Sequence, residues 1–137
     1  MRRLFKDLLY QKMLDNNKIW IVTADLGFGM FDKIRDGFPE RFINVGAAEQ
    51  AGMGICVGLA LEKKIPIFYS ISTFAIFRPL ETIRNYLHYE QIPVKIVGGG
   101  RGKDYAHDGY SHWPLEDTEV LKPFKIDIYY PNDEREM

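Results

Sequence analysis

The stretch Phe42-Ile-Asn-Val-Gly-Ala-Ala-Glu49-Gln-Ala-Gly-Met-Gly-Ile-Cys-Val-Gly-Leu-Ala60 changes character halfway along its length. From Arg41 to Val45 it is a short apolar run, which predicts a strand. From Ala48 to Glu62 it is small or apolar on nearly every side, which predicts a helix with no polar face. A helix of that kind is expected to be buried. Glu49 stands at its mouth, so its carboxyl group is expected in a dry place. Burial without a cationic partner favours the protonated form of a carboxyl group, which can then donate a hydrogen bond. A solvated Glu in the first helical turn, favoured by the helix dipole, would explain the same residue taken alone.

Working outward, strands and helices alternate. Leu4, Phe5, Leu8, Leu9 and Met13 recur at helical spacing, so a helix is expected as far as about Asp15. Ile19 to Ala24 is a β-branched run and predicts a buried strand. A loop from Asp25 to Gly29 and a short helix around Phe31 to Arg35 follow. Ile65 to Ile71 predicts a third strand. Pro79 suits the first turn of a helix running to about Tyr89. Val94 to Val97 and Ile126 to Tyr130 are expected as fourth and fifth strands, with a Gly-rich loop and a helix from about Pro114 to Lys122 between them. Asn132 to Glu136 carries the capping residues of one more helical turn. Strands that are continuous apolar runs, each separated by a helix, imply an α/β fold with a parallel sheet covered on both faces. Ligands of such sheets bind beyond the carboxyl ends of the strands. Asp25, Thr73, Phe74 and the loop from Gly98 to His112 all follow strands, and Glu49 joins them.

Composition narrows the function classes. The chain has 137 residues, enough for one domain with a core, and a net charge of −1. With no basic run and no basic helix face, neither nucleic acid nor an anionic membrane is an expected partner. No apolar run is long enough to span a bilayer, and Lys6 and Asp7 interrupt the start, so no signal peptide is expected. The single cysteine, Cys56, fits a reducing cytoplasm and reads as a small buried hydrophobe. The run Gly98-Gly-Gly-Arg101-Gly-Lys103 is too short for a phosphate loop, and Asp104 stands where a magnesium-binding hydroxyl belongs.

Several stretches, in order, resemble the pyrimidine-binding domain of transketolases. They are Thr23 to Gly27, Phe38 to Phe42, Gly46 to Gln50, Ser72 to Phe74, Glu81 to Asn85, Asp108 to His112, Leu115 to Asp117 and Pro131 to Asp133. The likeness runs from Arg2 to Glu136 and is nearest to the carboxy-terminal subunit of split transketolases. It implies thiamine diphosphate with Mg²⁺ as cofactor and transfer of a two-carbon ketol unit between sugars. Glu49 would share a proton with N1′ of the aminopyrimidine, a role that needs a desolvated site. Phe74 matches the stacking aromatic, with Phe77 the second candidate because a gap before Ile83 disturbs the spacing. Asp25 would face the thiazolium, although a strand-end Asp also simply turns the chain. Asp108 would bind a donor hydroxyl, and His112 would serve the reacting centre as proton donor or oxyanion partner.

The resemblance also implies what lies elsewhere. The family's Gly-Asp-Gly motif for Mg²⁺ and diphosphate is missing from this sequence, so no metal ligand is expected here and a diphosphate-binding subunit or domain is the expected partner in a homo- or hetero-oligomer. The family's last helix and following domain are likewise expected to be missing, leaving residues 1–137 as a single domain. Three departures bear on the substrate, expected to be a ketose or sugar phosphate, one being Trp113 in place of a common Gln. Gly100 replaces a histidine that the family usually carries there, and Arg101 sits where deoxyxylulose phosphate synthases place a substrate-binding arginine. Condensation of pyruvate is therefore an alternative reaction, and a non-catalytic assembly module is an alternative from another class.

Overall fold

The computed structural model describes residues 1–136. Its sheet has four parallel strands: β1 (Ile19–Thr23), β2 (Phe42–Asn44), β3 (Ile65–Ile71) and β4 (Lys95–Gly99), in the order β2-β1-β3-β4. Ile21 pairs with Phe42 on one side of β1, and Ile19 with Ile65 on the other; Ile67 pairs with Lys95. Successive side chains on a strand point to opposite faces, and the sequence exploits this on the two central strands. Ile19 and Ile21 of β1, with Ile67 and Tyr69 of β3, meet Leu9 and Met13 of α1 (Arg2–Asp15) and Ile34 of α2 (Asp32–Gly37). Val22 and Phe68 point the other way, toward Met53, Cys56 and Val57 of α3 (Glu49–Leu61) and Ala75 and Ile76 of α4 (Ser72–Phe77). The expected fold class, a parallel sheet covered on both faces, is what the chain adopts.

Arg41 fastens the first face together. Its guanidinium donates to the carbonyls of Met13, Asn16 and Ile19, joining the end of α1 to the start of β1. It also lies 4.4 Å from the ring centre of Phe38, so one side chain serves both the carbonyl cluster and the apolar layer.

Four features differ from the sequence reading. α3 is not buried all round: Gly52, Met53, Cys56, Val57 and Ala60 face the sheet, while Ala51, Gly54, Ile55, Gly58 and Leu61 are not buried. A helix on one face of a sheet has only one side to bury, whatever its composition. Residues 72–77, for which the sequence predicts no element, form α4 directly after β3, with Ile71 as its N-cap and no turn residue between. The helix after Pro79 is α5 (Leu80–Thr82) running into a π-helical turn, Ile83–Tyr89. Ile126 to Tyr130 pairs with no strand. Ile126 and Ile128 instead lay their side chains against the α3 face of the core, and the Lys125 N–H before them donates to His88 Nδ1 at 2.8 Å.

Smaller differences have local causes. Gly98 and Gly99, expected in the loop, complete β4. A Cβ at Gly98 would stand 2.3 Å from Ser72 Oγ, so only glycine lets the strand pass the start of α4. The helix expected over Pro114 to Lys122 is confined to α6 (Asp117–Leu121). At Asn132 to Glu136 the expected helical start is a turn: Asp133 Oδ1 accepts from the N–H groups of Arg135 and Glu136.

Two glycines on opposite sides of α3 test this packing. A Cβ at Gly52 would meet Phe68 Cε2 at 2.8 Å and Val45 Cγ2 at 3.1 Å, whereas one at Gly58 meets nothing within 4 Å. Gly52→Ala is expected to destabilise the chain by about 1–3 kcal/mol through overpacking. Gly58→Ala is expected to stabilise it by about 0.5–1 kcal/mol through helix propensity. Urea unfolding of the two variants beside the parent checks both signs.

Candidate functional site

The carboxyl ends of β1 and β2 are knitted by one side chain. Asn44 Oδ1 accepts the N–H of Asp25 at 3.1 Å and that of Gly46 at 3.0 Å. Both residues have positive φ, 46° at Asp25 and 67° at Gly46, so the two chains turn sharply away from the sheet here. Thr23 Oγ1 donates to the Leu26 carbonyl and closes the Asp25 turn from below. The chain leaving Gly46 enters α3, whose first residue is Glu49. Gln50 Nε2 donates to Thr82 Oγ1 at 2.7 Å and pins that helix start against α5.

These turns bring Glu49 to a cleft of about 170 Å³ lined by Ala24, Asp25, Leu26, Ala47, Ser70, Ile71, Phe74 and Arg78. The Glu49 side chain is 3% exposed. It is not alone there, which corrects the expectation of a buried carboxyl without a cation. Arg78 Nη1 donates to Glu49 Oε2 at 2.5 Å, and Ser70 Oγ donates to Oε1 at a longer 3.5 Å. Arg78 also lies over Phe74, its guanidinium carbon 3.8 Å from the ring centre. The other neighbour of Phe74 is His112, edge-on at 4.8 Å. Thr73 Oγ1 donates to the Ser111 carbonyl and holds the His112 turn in place, while Ser111 Oγ pairs with His112 Nδ1 at 3.0 Å.

Of the residues singled out in the sequence, Glu49, Asp25, Phe74 and His112 thus come together. Phe77 does not line this cleft and is 39% exposed. Asp108 lies in a 3-10 turn, exposed, with its carboxylate 3.3 Å from His107 Nε2. Arg101 is turned toward the far end of the chain, over the Tyr130 ring and near Asn132 Oδ1. Gly100 has φ +83°, and a Cβ there would stand 2.4 Å from the Tyr105 ring, so any side chain at this position meets both backbone strain and that ring. Among the described residues, no three His, Cys, Asp or Glu side chains gather as a metal site. No helix among them is long and apolar enough to cross a membrane.

Sequence reasoning missed Arg78 and Ser70. A signal for Arg78 did exist: it lies four residues after Phe74, one helical turn, and directly before Pro79. A second cleft was missed as well, about 490 Å³, lined by Arg2, Arg3, Lys6, Phe28, Tyr69 and Tyr105 among others. It shares Leu26 with the first. Its cations come from the start of α1, which sequence reading treated only as an amphipathic helix.

Comparison with known proteins is consistent along the chain. A family model described as the transketolase pyrimidine binding domain matches residues 1–137. A Methanocaldococcus jannaschii protein described as a transketolase C-terminal section is 36% identical over 126 residues, covering 89% of this chain and 39% of that protein. One of the subunits of an apulose-4-phosphate transketolase from Phocaeicola vulgatus is 33% identical, over 98% of this chain and 44% of its own length. A solved structure of a split gene transketolase, described as an inactive beta4 tetramer, is 34% identical with a TM-score of 0.76, covering 90% of this chain and 40% of that one. The chain therefore spans about two-fifths of the length of these relatives.

Cys56 is a potential nucleophile that the core encloses. Burial pushes its thiol from an ordinary 9.0 up to about 12. The native state then keeps a proton that the unfolded chain loses above about pH 9, so this residue's contribution to stability falls as pH rises from about 9 toward 12, by roughly 1.4 kcal/mol per pH unit. Stability of the parent is expected to decline more steeply between about pH 8.5 and 10.5 than that of Cys56→Ala, as read from urea unfolding at each pH. Parallel slopes would mean that the thiol is open to solvent.

Proposed function

The chain belongs to the transketolase family, as its pyrimidine-binding domain, and from that premise we propose that it forms half of a thiamine diphosphate site in a cytoplasmic enzyme that moves a two-carbon ketol unit between sugars. The observation that carries this reading is a buried carboxylate at the head of α3 sharing one small cleft with an aromatic ring at the head of α4. A flat, polar-edged ring needs a face to stack on and a hydrogen-bonding group at its rim, and Phe74 and Glu49 present these side by side. The residues therefore fit the aminopyrimidine.

When bound, thiamine diphosphate would supply a nucleophilic carbon for ketol chemistry. The chain's own residues hold and position. Glu49, buried in the cleft that Ala47, Ile71 and Phe74 also line, would share a proton with N1′ through its carboxylate. Phe74 gives the ring its stacking face. Asp25, whose N–H is fixed by Asn44 at the end of β1, would present its carboxylate to the cationic part of the cofactor. His112, at the edge of Phe74 and held by the Thr73–Ser111 bond, would serve the reacting centre as proton donor or oxyanion partner. A ketose phosphate finds its charge complement in the cleft of Arg2, Arg3 and Lys6. The small and apolar outer face of α3 supports packing against a second subunit, since Gly54 and Gly58 let a partner backbone come close. Mg²⁺ and the diphosphate belong to such a subunit or to a further domain. No observation favours the pyruvate condensation: Arg101 lines neither cleft.

Two measurements test the reading. The 137-residue chain alone is expected to bind thiamine diphosphate and Mg²⁺ only weakly in calorimetric titration; micromolar affinity without a partner would defeat the half-site. In the assembled enzyme, Glu49→Gln keeps the shape but cannot share the proton. Hydrogen–deuterium exchange at the cofactor's C2 is then expected to fall by roughly 10²-fold or more, and an unchanged rate would reduce Glu49 to a helix-opening residue.

A further inference from the structure

The two contacts that define the ring's place are already made within this chain. Arg78 donates to Glu49 from Nη1 at 2.5 Å and stacks its guanidinium on Phe74 at 3.8 Å. A guanidinium is flat, delocalised and edged with N–H donors. A protonated aminopyrimidine has the same three properties. One Phe74 face and one Glu49 oxygen cannot serve both at once.

We propose that Arg78 is a positioning residue that occupies the aminopyrimidine's place in the free chain and swings out when the ring enters. The proposal rests on the reading of Glu49 and Phe74 as the ring's partners. The side chain has somewhere to go, because it is 43% exposed while Glu49 is 3% exposed. It has a reason to be there, because an unpaired carboxylate at that depth is costly. Ser70 Oγ, at 3.5 Å, is too distant to satisfy Glu49 by itself. Arg78 leaves the short α4 just before Pro79, whose ring restricts the backbone while the long side chain moves. In this role the arginine offsets the charge of Glu49 and holds Phe74 in the rotamer that the ring needs, and ring binding exchanges one cationic planar group for another.

The test uses the full chain and the ring alone, 4-amino-5-hydroxymethyl-2-methylpyrimidine, so the missing diphosphate site does not enter. Binding is followed by NMR, with the Arg78 side-chain N–H signals as reporter. On saturation these signals are expected to move to solvent-exposed positions. Arg78→Met, which keeps the stem and removes the guanidinium, is expected to bind the ring about tenfold more tightly, near the lower end of what a charge-assisted hydrogen bond is worth. Arg78→Ala is expected to take up ethylguanidinium, which restores its melting temperature and competes with the ring. If the single variants fail to fold, Glu49→Gln/Arg78→Met removes the unpaired charge; against Glu49→Gln alone, the double variant is expected to bind the ring more tightly. Ring binding with equal or lower affinity in Arg78→Met, or with the Arg78 signals unmoved, overturns the proposal and leaves the proposed function standing. Ring binding to no variant, with ethylguanidinium still bound by Arg78→Ala, overturns this inference; the proposed function, which expects weak binding to the lone chain, then stands or falls on the Glu49→Gln exchange rate in the assembled enzyme.

Discussion

A carboxylate buried at the head of α3 has to be paired, and much of this molecule's local architecture answers that need. Removing a charge from water costs several kcal/mol unless a counter-charge and hydrogen bonds replace the solvent. Glu49 gets one charge-assisted bond from Arg78 and one weak bond from Ser70. Both donors come from the β3–α4 unit, so the position of α4 relative to α3 is coupled to the pairing of a single side chain. Gln50, the neighbour of Glu49, adds a bond to Thr82 on α5. The head of α3 is therefore held by adjacent residues that reach two separate segments. A purely structural helix start has no use for that arrangement, since a Ser or Asn cap at the surface would open the helix at no desolvation cost.

The parallel sheet determines where this happens. With all four strands pointing the same way, every strand-to-helix turn emerges on one edge, and the switch in order between β1 and β3 opens a crevice there. Asp25 and Gly46 leave the edge with positive φ, Ile71 passes directly into α4, and Gly99 passes into the loop that carries His112. Asn44 is as much a part of the site as the residues that face it. By accepting from both Asp25 and Gly46 it fixes the spacing between the aspartate and the start of α3.

What could be read from the sequence follows from which forces are local. Strand runs such as Ile19 to Thr23 and Ile65 to Ile71 declare themselves because a central parallel strand is buried on both faces and needs no polar alternation. Glu49, Asp25, Phe74 and His112 could be gathered in advance, since each follows a strand and parallel topology sends them to one edge. The misses are tertiary. Ile126 and Ile128 look like strand residues, yet their burial is satisfied by side-chain packing on the core, and hydrophobic contact carries no information about a backbone ladder. The composition of α3 misleads about its burial, because an apolar outer face and an apolar inner face read alike in one chain. Arg78 escaped notice because a lone arginine before a proline is ordinary; its significance arises only when α4 carries it back over Phe74.

The outer face of α3 and the pairing of Glu49 belong to one problem. On the proposed reading, the domain contributes half of a site and has to exist, at least during assembly, without the other half, so that features suited to the complex are liabilities before it forms. Two are visible here: a small, apolar helix face turned to solvent and a buried acid suited to a ligand. Each has a local remedy in the sequence. Glycines at 54 and 58 reduce the apolar area that the open face presents, at the expense of helix propensity. For the acid, the remedy is a cation that can leave. A fixed partner, such as a lysine held in the core, would stabilise the free chain more but would compete with the ligand permanently. A half-exposed arginine at the end of a six-residue helix, stacked rather than enclosed, gives enough pairing to keep the carboxylate folded in while leaving its place exchangeable.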